Sequence, residues 1–133
     1  MTIHFGDGSQ VSSAPPLNSG AKLHAQTGNS NYSADADATH FLVIAVGGGG
    51  GGAKRNDNSN DQNSNAGGAG SGGGGGTAIR MYTKDQMGAT ASVTVGDGGD
   101  ARQSTGNAQS GGTTQFNPAG SGSTIQGKGG QGG

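Results

Sequence analysis

The sequence predicts an all-β protein with long glycine-rich loops, and three observations support this prediction. Residues 41–46 (FLVIAV) form a continuous apolar, β-branched run, and a run of this length bounded by glycine predicts a fully buried strand. Residues 91–95 (ASVTV) alternate strictly between apolar and polar side chains, as a strand with one buried face does. No segment carries the 3.6-residue apolar period of an amphipathic helix. We expect a small antiparallel β-sandwich or meander without significant helix.

Composition limits the size of the core. Hydrophobic residues make up 27% of the 133-residue chain, glycine accounts for 32 residues, and tryptophan is absent. Globular domains usually contain about 45–50% apolar residues, so a large close-packed core is out of reach. The net charge of −1 also differs from the high net charge of many disordered chains. We therefore expect a component of an assembly that is ordered in part by backbone hydrogen bonds between neighbouring chains.

Residues 1–38 form a polar N-terminal segment that we expect to be largely extended. Ile3 and Phe5 alternate with polar neighbours, which predicts a short first strand. We place a domain boundary after this segment and assign residues 39–133 to a glycine-rich β domain. The first eight residues have neither a basic region nor an apolar stretch, and the longest apolar run of the chain is six residues. We therefore expect no signal peptide and no membrane insertion.

A long low-complexity excursion follows the first apolar strand. A hexaglycine run comes first, a basic pair and an Asn/Asp/Ser tract form the middle, and a second glycine run leads into the next strand. Glycine favours close backbone approach at these runs because it has no side chain to hold neighbouring chains apart. The glycines to which we assign this structural role are Gly47, Gly48, Gly49, Gly50, Gly51, Gly52, Gly72, Gly73, Gly74, Gly75 and Gly76.

Strand character returns after the excursion. Ile79 and Met81 share one face of the next predicted strand, and residues 84–88 suit a connecting turn. Residues 96–99 (GDGG) have the composition of another turn. The strands predicted in this part of the chain are residues 77–82, 91–95, 113–116 and 123–125.

The sequence argues against an enzyme and against a bound cofactor. Glutamate and cysteine are absent, and no serine lies in a G-x-S-x-G elbow. The junction after Val46 resembles a dinucleotide-binding turn, but the required helix and acidic residue do not follow. Asp35 with Asp37, or Asp97 with Asp100, could ligate a hard cation, but turn geometry is the more common role of such residues, so we expect no metal. The pI of 6.2 and the net charge of −1 show no excess of basic residues of the kind that binds nucleic acid.

The order of these motifs resembles the glycine-rich domain of bacteriophage tail-fibre and receptor-binding proteins. That family has an apolar strand, polyglycine, a polar tip and more polyglycine, followed by a TVTVG-GG-like hairpin, a GGTTSF-like strand and a final glycine stretch. The opening MTIHFGDG is also similar to the start of small virion proteins of marine cyanophages. The matching pieces of this chain are residues 41–52, 67–82, 92–99, 111–116 and 120–133.

This resemblance implies a structural protein on the exterior of a phage virion, of the tail-fibre or adhesin type. Such a protein assembles in the host cytoplasm with other virion proteins, forms a homo-oligomer such as a trimer, and can contact host-surface glycan. The resemblance also implies that residues 1–38 are a short attachment segment and that the glycine runs adopt polyglycine II packing, in which extended threefold helices bond sideways. Two alternatives stay open: a capsid decoration or fibre protein of the virion, and a non-viral glycine-rich fibre or ice-binding protein.

The polar middle of the excursion is the candidate surface for host binding. Amides, carboxylates and basic side chains hydrogen-bond sugar hydroxyls well and cost little to expose. Tyr32 and Tyr82 could in addition stack on a sugar ring. A solvated spacer without a ligand is the alternative interpretation of the same composition. The candidate binding residues are Lys54, Arg55, Asn56, Asp57, Asn58, Asn60, Asp61 and Asn63.

Overall fold

The predicted first strand is present near the N-terminus. In the computed structural model, β1 (Ile3–His4) pairs antiparallel with β2 (Gln10–Val11). Phe5, which was predicted to extend this strand, lies outside the described residues. Besides the backbone of these two strands, the structure describes residues 22–54, 69–102 and 107–133.

Six strands build two antiparallel sheets in the described part of the chain after residue 21. They are β3 (Ser30–Ser33), β4 (His40–Val46), β5 (Thr77–Thr83), β6 (Thr90–Thr94), β7 (Thr114–Pro118) and β8 (Ile125–Gly127). One sheet has the order β3-β6-β7-β8, and the other consists of β4 and β5. The two-stranded sheet lies against β7 and β8. The prediction of an all-β fold is confirmed.

The described residues contain a single turn of helix, α1 (Lys84–Met87), where a connecting turn was predicted. A capping box starts it: the Gln86 amide donates to the Thr83 hydroxyl, and the Thr83 amide donates to the Gln86 side chain. Gly88 ends it with a φ of 72°, a conformation that side-chain-bearing residues rarely adopt. In the described part of the chain, no helix is long and apolar enough to cross a bilayer.

Strand β3 was not predicted from the sequence. It pairs with β6, with Ser30 opposite Val93, and the Asn29 side chain accepts a hydrogen bond of 2.8 Å from the Val95 amide. Its sequence, SNYS, contains one large apolar side chain and therefore has no apolar alternation to mark it. Because β3 precedes residue 39, it lies on the N-terminal side of the predicted domain boundary, which stays a prediction.

The core between the sheets is small, as the composition indicates. Its buried side chains are Phe41, Tyr82, Met87, Ala91 and Phe116. The rings of Tyr82 and Phe116 lie 5.8 Å apart between centroids. The Tyr82 hydroxyl donates a hydrogen bond of 2.7 Å to the backbone oxygen of Ser123, so its polar end is satisfied inside the fold. Because Tyr82 is fully buried, the idea that its ring stacks on a sugar is wrong.

The prediction that residues 41–46 form a fully buried strand is also wrong. Phe41 and Ala45 face the core, but Leu42, Ile44 and Val46 point to the opposite side and are more than half exposed. Successive side chains of a strand alternate between two faces. In the described residues, only the inner face of the β4–β5 sheet is covered by another sheet, so a continuous apolar run leaves half of its side chains outside.

Candidate functional site

Five glycine-rich segments extend from the strands, and we call them rods 1 to 5. Rod 1 follows β4, rod 2 leads into β5, rod 3 follows β6, rod 4 leads into β7 and rod 5 follows β8. The chain therefore runs away from the sandwich in rods 1, 3 and 5 and returns in rods 2 and 4. Their bounds are residues 47–53, 70–76, 97–102, 108–112 and 128–133.

Rod 1 is bonded to rod 2 at every third residue. The amides of Gly47 and Gly50 donate to the oxygens of Gly76 and Gly73 at 2.9 and 2.8 Å. The Ala53 amide continues the series to rod 2 at 2.9 Å. A repeat of three residues is the period of a threefold extended helix, whereas a β-strand has a period of two.

The same period links rod 1 to three further rods. The amides at positions 48 and 51 donate to rod 4 at 3.0 and 2.9 Å, and the oxygens of the same two residues accept from rod 5 at 2.8 and 3.0 Å. The oxygens at positions 49 and 52 accept from rod 3 at 2.7 and 3.1 Å. Rod 1 is therefore the centre of the bundle.

The remaining bonds define two layers. Rod 5 accepts from rod 2 and rod 4, and rod 3 accepts from rod 4. Rods 2, 1 and 3 thus lie side by side in one layer, while rods 5 and 4 fill the grooves beneath them in a second layer. Each buried rod is held by lateral backbone bonds to its neighbours, which is the arrangement that polyglycine II packing requires.

Space, rather than backbone conformation, makes glycine necessary in this bundle. Among the described residues, Gly88 of the α1 turn is the one with a positive φ. A Cβ added at Gly50 would lie 1.9 Å from the oxygen of Gln131, and one at Gly129 would lie 1.8 Å from the oxygen of Gly111. Both distances are far below van der Waals contact, so a side chain at either position would push two rods apart.

The glycines predicted to be structural fall into three groups according to the room for a side chain. At Gly49, Gly52 and Gly74 an added Cβ would meet no atom closer than 3.8 Å, and Gly73 and Gly76 are intermediate at 3.3 and 3.4 Å. The first group therefore faces outward, and the remaining six glycines line the contacts between rods. These six, at which an added Cβ would lie 1.9–2.2 Å from a backbone oxygen, are Gly47, Gly48, Gly50, Gly51, Gly72 and Gly75.

Rod 5 carries a side chain at every third position, and rod 3 does so from Asp97 to Asp100, after which Ala101 and Arg102 follow. Asp97 and Asp100 are exposed on rod 3, and Lys128 and Gln131 are exposed on rod 5. The prediction of a turn at residues 96–99 is wrong, because this stretch continues as an extended rod whose Asp97 oxygen accepts from rod 4 at 2.8 Å. The spacing of these exposed residues was the sequence signal for rods 3 and 5, and our sequence analysis missed it.

The far ends of the rods meet at one place, which we call the distal end. The Ala53 amide donates to the Gly70 oxygen at 2.9 Å, joining the ends of rods 1 and 2. The Gly133 amide donates to the Gly51 oxygen at 3.0 Å, and the Gly133 oxygen accepts from the Ala108 amide at 2.8 Å. The connection between rods 1 and 2 and the connection between rods 3 and 4 therefore both start and finish at the distal end.

Two basic residues lie at the distal end in the described part of the chain. Lys54 directly follows rod 1 and is exposed. Arg102 closes rod 3, its amide donates to the Gly52 oxygen at 3.1 Å, and its side chain is exposed. The other candidate binding residues lie outside the described residues; they are Arg55, Asn56, Asp57, Asn58, Asn60, Asp61 and Asn63.

The opposite, proximal end contains the other acidic candidates. The Asp35 side chain accepts from the Lys22 ammonium and from the Asp37 amide, the latter at 3.1 Å, and the Lys22 contact lowers the pKa of the Asp35 carboxyl. This arrangement is a local turn with an ion pair, the common role expected for such residues. Within the described residues, no group of three His or Asp side chains could hold a metal ion.

An open cleft of about 1250 Å³ runs along β4 beside residues 22–26. Its lining is largely apolar and includes Phe116 and Val93. Tyr32, the second tyrosine considered for sugar stacking, is half-buried on this cleft, and its ring packs edge-on to His24 with centroids 5.2 Å apart.

Comparison with known proteins gives a family match for this chain. The family model of the glycine-rich domain matches residues 24–133, a stretch that contains both sheets of the sandwich and the five rods. No curated protein and no solved structure matches the chain. Since the family match covers most of the sequence, the chain belongs to the glycine-rich domain family.

Proposed function

We propose that this protein is a structural protein on the exterior of a phage virion, of the tail-fibre or adhesin type, which holds polar residues out toward the host surface. The observation that carries the proposal is the convergence at the distal end. Two chain connections start and finish there, and the exposed basic residues Lys54 and Arg102 lie there, at the far end of a bundle that starts from the sandwich.

The bundle suits this role because it is built as a spacer. A seven-residue rod spans ~20 Å at the rise of a threefold extended helix, and lateral bonds fix each rod to its neighbours. Binding residues are often carried on connections that a rigid scaffold positions. Displayed basic and amide side chains can contact glycan without any catalytic step, so the proposal includes no enzyme activity and no cofactor.

Immunogold labelling of intact virions tests the proposal. An antibody raised against residues 54–65 should place gold on the tail or its fibres. Gold spread over the head would make the protein a capsid decoration protein and would contradict the adhesin type. Particles that remain unlabelled, although the same antibody detects the protein in disrupted particles, would contradict outward display of the distal end. Absence of the protein from disrupted particles would contradict the virion assignment.

A further inference from the structure

The outer side of the β4–β5 sheet carries an apolar patch, which we call the apolar face. Cross-strand neighbours make it continuous, since Leu42 lies opposite Met81 and Ile44 lies opposite Ile79. Val46 completes it, and the five side chains are 54–64% exposed. Together they leave ~500 Å² of apolar surface in water, near the upper end of what monomers expose without a functional reason.

We propose that the apolar face binds the same face of a second copy of this chain, so that the protein forms a two-fold symmetric dimer. This inference goes beyond the proposed function, because it holds whatever surface the distal end contacts. A dimer of this kind adds a third and a fourth layer to the sandwich, with the two β4–β5 sheets packed face to face.

Charge and chemistry favour a second copy over a partner of another kind. The outward residues of both strands include no Asp, Lys or Arg; those beside the apolar face are His40, Thr77 and Thr83. A face without charges offers nothing to select an oppositely charged partner, and it meets its own copy without like-charge repulsion. The chain's net charge of −1 adds little long-range repulsion between copies.

The shape of the patch also fits a two-fold contact. Ile44 and Ile79 lie opposite each other and form its central row, and Leu42 and Met81 form a neighbouring row. If the two-fold axis runs along this central row, Ile44 and Ile79 of one copy pack against Ile44 and Ile79 of the other. Every other contact of the interface then occurs twice by symmetry. Such an interface closes at two copies, because each apolar face is fully used by its partner.

The size of the patch sets the expected strength. Standard interfaces bury about 800 Å² on each partner, and the apolar face with its polar rim is of that size or slightly below. We therefore expect a reversible dimer with a Kd of ~1–100 µM rather than an obligate one.

Sedimentation equilibrium with matched variants tests the dimer. The wild-type chain should change from monomer to dimer between ~1 and ~300 µM. The double variant Ile44→Thr/Ile79→Thr keeps β-branched side chains in the strands but removes the apolar contact, so it should remain monomeric. The control Ile44→Val/Ile79→Val should still dimerise. A wild-type chain that stays monomeric over the range, or that forms trimers, would overturn the proposal.

Cysteine cross-linking gives an independent readout, because the native chain has no cysteine. Ile44→Cys should form a disulfide-linked dimer on mild oxidation, since the two copies of this position meet at the axis. Ser121→Cys is the control: this exposed residue lies outside both strands of the apolar face, beside α1, where its amide donates to the Asp85 oxygen, and it should cross-link at least tenfold more slowly. Equal rates for the two variants would show that the contact is random collision and would contradict the two-fold interface.

Discussion

The amide of Gly50 donates a hydrogen bond of 2.8 Å to the oxygen of Gly73, and this contact joins two glycine runs that a polar tract separates in the sequence. The same Gly50 has no room for a side chain, because the Gln131 oxygen of a third rod lies 1.9 Å from where its Cβ would be. One residue is thus fixed between two neighbours by backbone atoms alone. Repeated at every third position, this relationship orders a chain with few large apolar side chains.

Alanine substitutions in rod 1 should have opposite effects at neighbouring positions. Gly50→Ala forces rods apart and should lower the free energy of unfolding by about 1–3 kcal/mol or more. At Gly49 an added Cβ would lie 3.8 Å from the nearest atom, and the backbone φ is not positive, so alanine fits without strain. Gly49→Ala should therefore raise the free energy of unfolding by about 0.4–1 kcal/mol, because alanine lowers the conformational entropy of the unfolded chain. Urea unfolding of both variants checks this, and equal effects at the two positions would contradict the rod packing.

Because the core is small, removing a single aromatic side chain should lower the free energy of unfolding strongly. Phe116 is buried between the sheets and packs on Tyr82. Phe116→Ala should cost about 3–5 kcal/mol, a large fraction of the stability of most domains. Circular dichroism during thermal unfolding measures the loss, and Phe116→Leu serves as the milder control. A fully stable alanine variant would show that the glycine bundle alone holds the fold.

Stability should fall at high pH because of Tyr82. Burial raises the pKa of its hydroxyl above the ordinary value of 10.0, so the folded state holds this proton more tightly than the unfolded state does. The stabilisation is fully present below pH 10 and is lost as the pH rises through the raised pKa.

Urea unfolding of the wild type and of Tyr82→Phe at a series of pH values up to about 11 measures this effect. Tyr82→Phe loses the bond to Ser123, worth about 0.5–1.5 kcal/mol at neutral pH, but it should be less sensitive to high pH than the wild type. Parallel pH profiles for the two proteins would contradict the assignment.

Charge removal at the distal end should change adhesion without changing stability. Lys54 is exposed, so Lys54→Ala should shift the free energy of unfolding by less than about 0.5 kcal/mol, and Arg55→Ala removes the second charge of the predicted basic pair. Under the proposed function both variants should weaken adsorption to host cells. Lys128→Ala, an exposed basic position on rod 5, is the matched control and should adsorb normally. Normal adsorption by all three variants would contradict glycan contact through the basic residues at the distal end.

The strands could be predicted where apolar residues alternate or cluster. Strands β4 to β8 lie close to their predicted positions because each contains at least one large apolar residue flanked by glycine or turn residues. β3 could not be predicted, since its pairing depends on β6, a partner far along the chain. The exposure of Leu42 and Ile44 likewise could not be predicted, because an apolar run does not show whether one face or both faces of its strand will be covered.

The sequence predicted that the glycine runs pack closely, but it did not predict how many segments of the chain join the bundle. Hexaglycine indicates close backbone packing by composition alone. Rod 3 was missed because Asp97 and Asp100 looked like turn residues, whereas the structure leaves both side chains exposed three residues apart. A period of three, with glycine at two positions and a polar residue at the third, is the pattern that marks an outer rod of such a bundle.

Amide hydrogen exchange measured by NMR on a dilute, monomeric sample tests the central claim most directly. If lateral backbone bonds at every third residue order the glycine bundle, the amides of Gly47, Gly48, Gly50 and Gly51 should exchange slowly. The amides of Gly49 and Gly52, which have no backbone acceptor among the described residues, should exchange faster by at least tenfold. Protection that alternates with a period of two, or uniformly fast exchange across the run, would contradict the bundle.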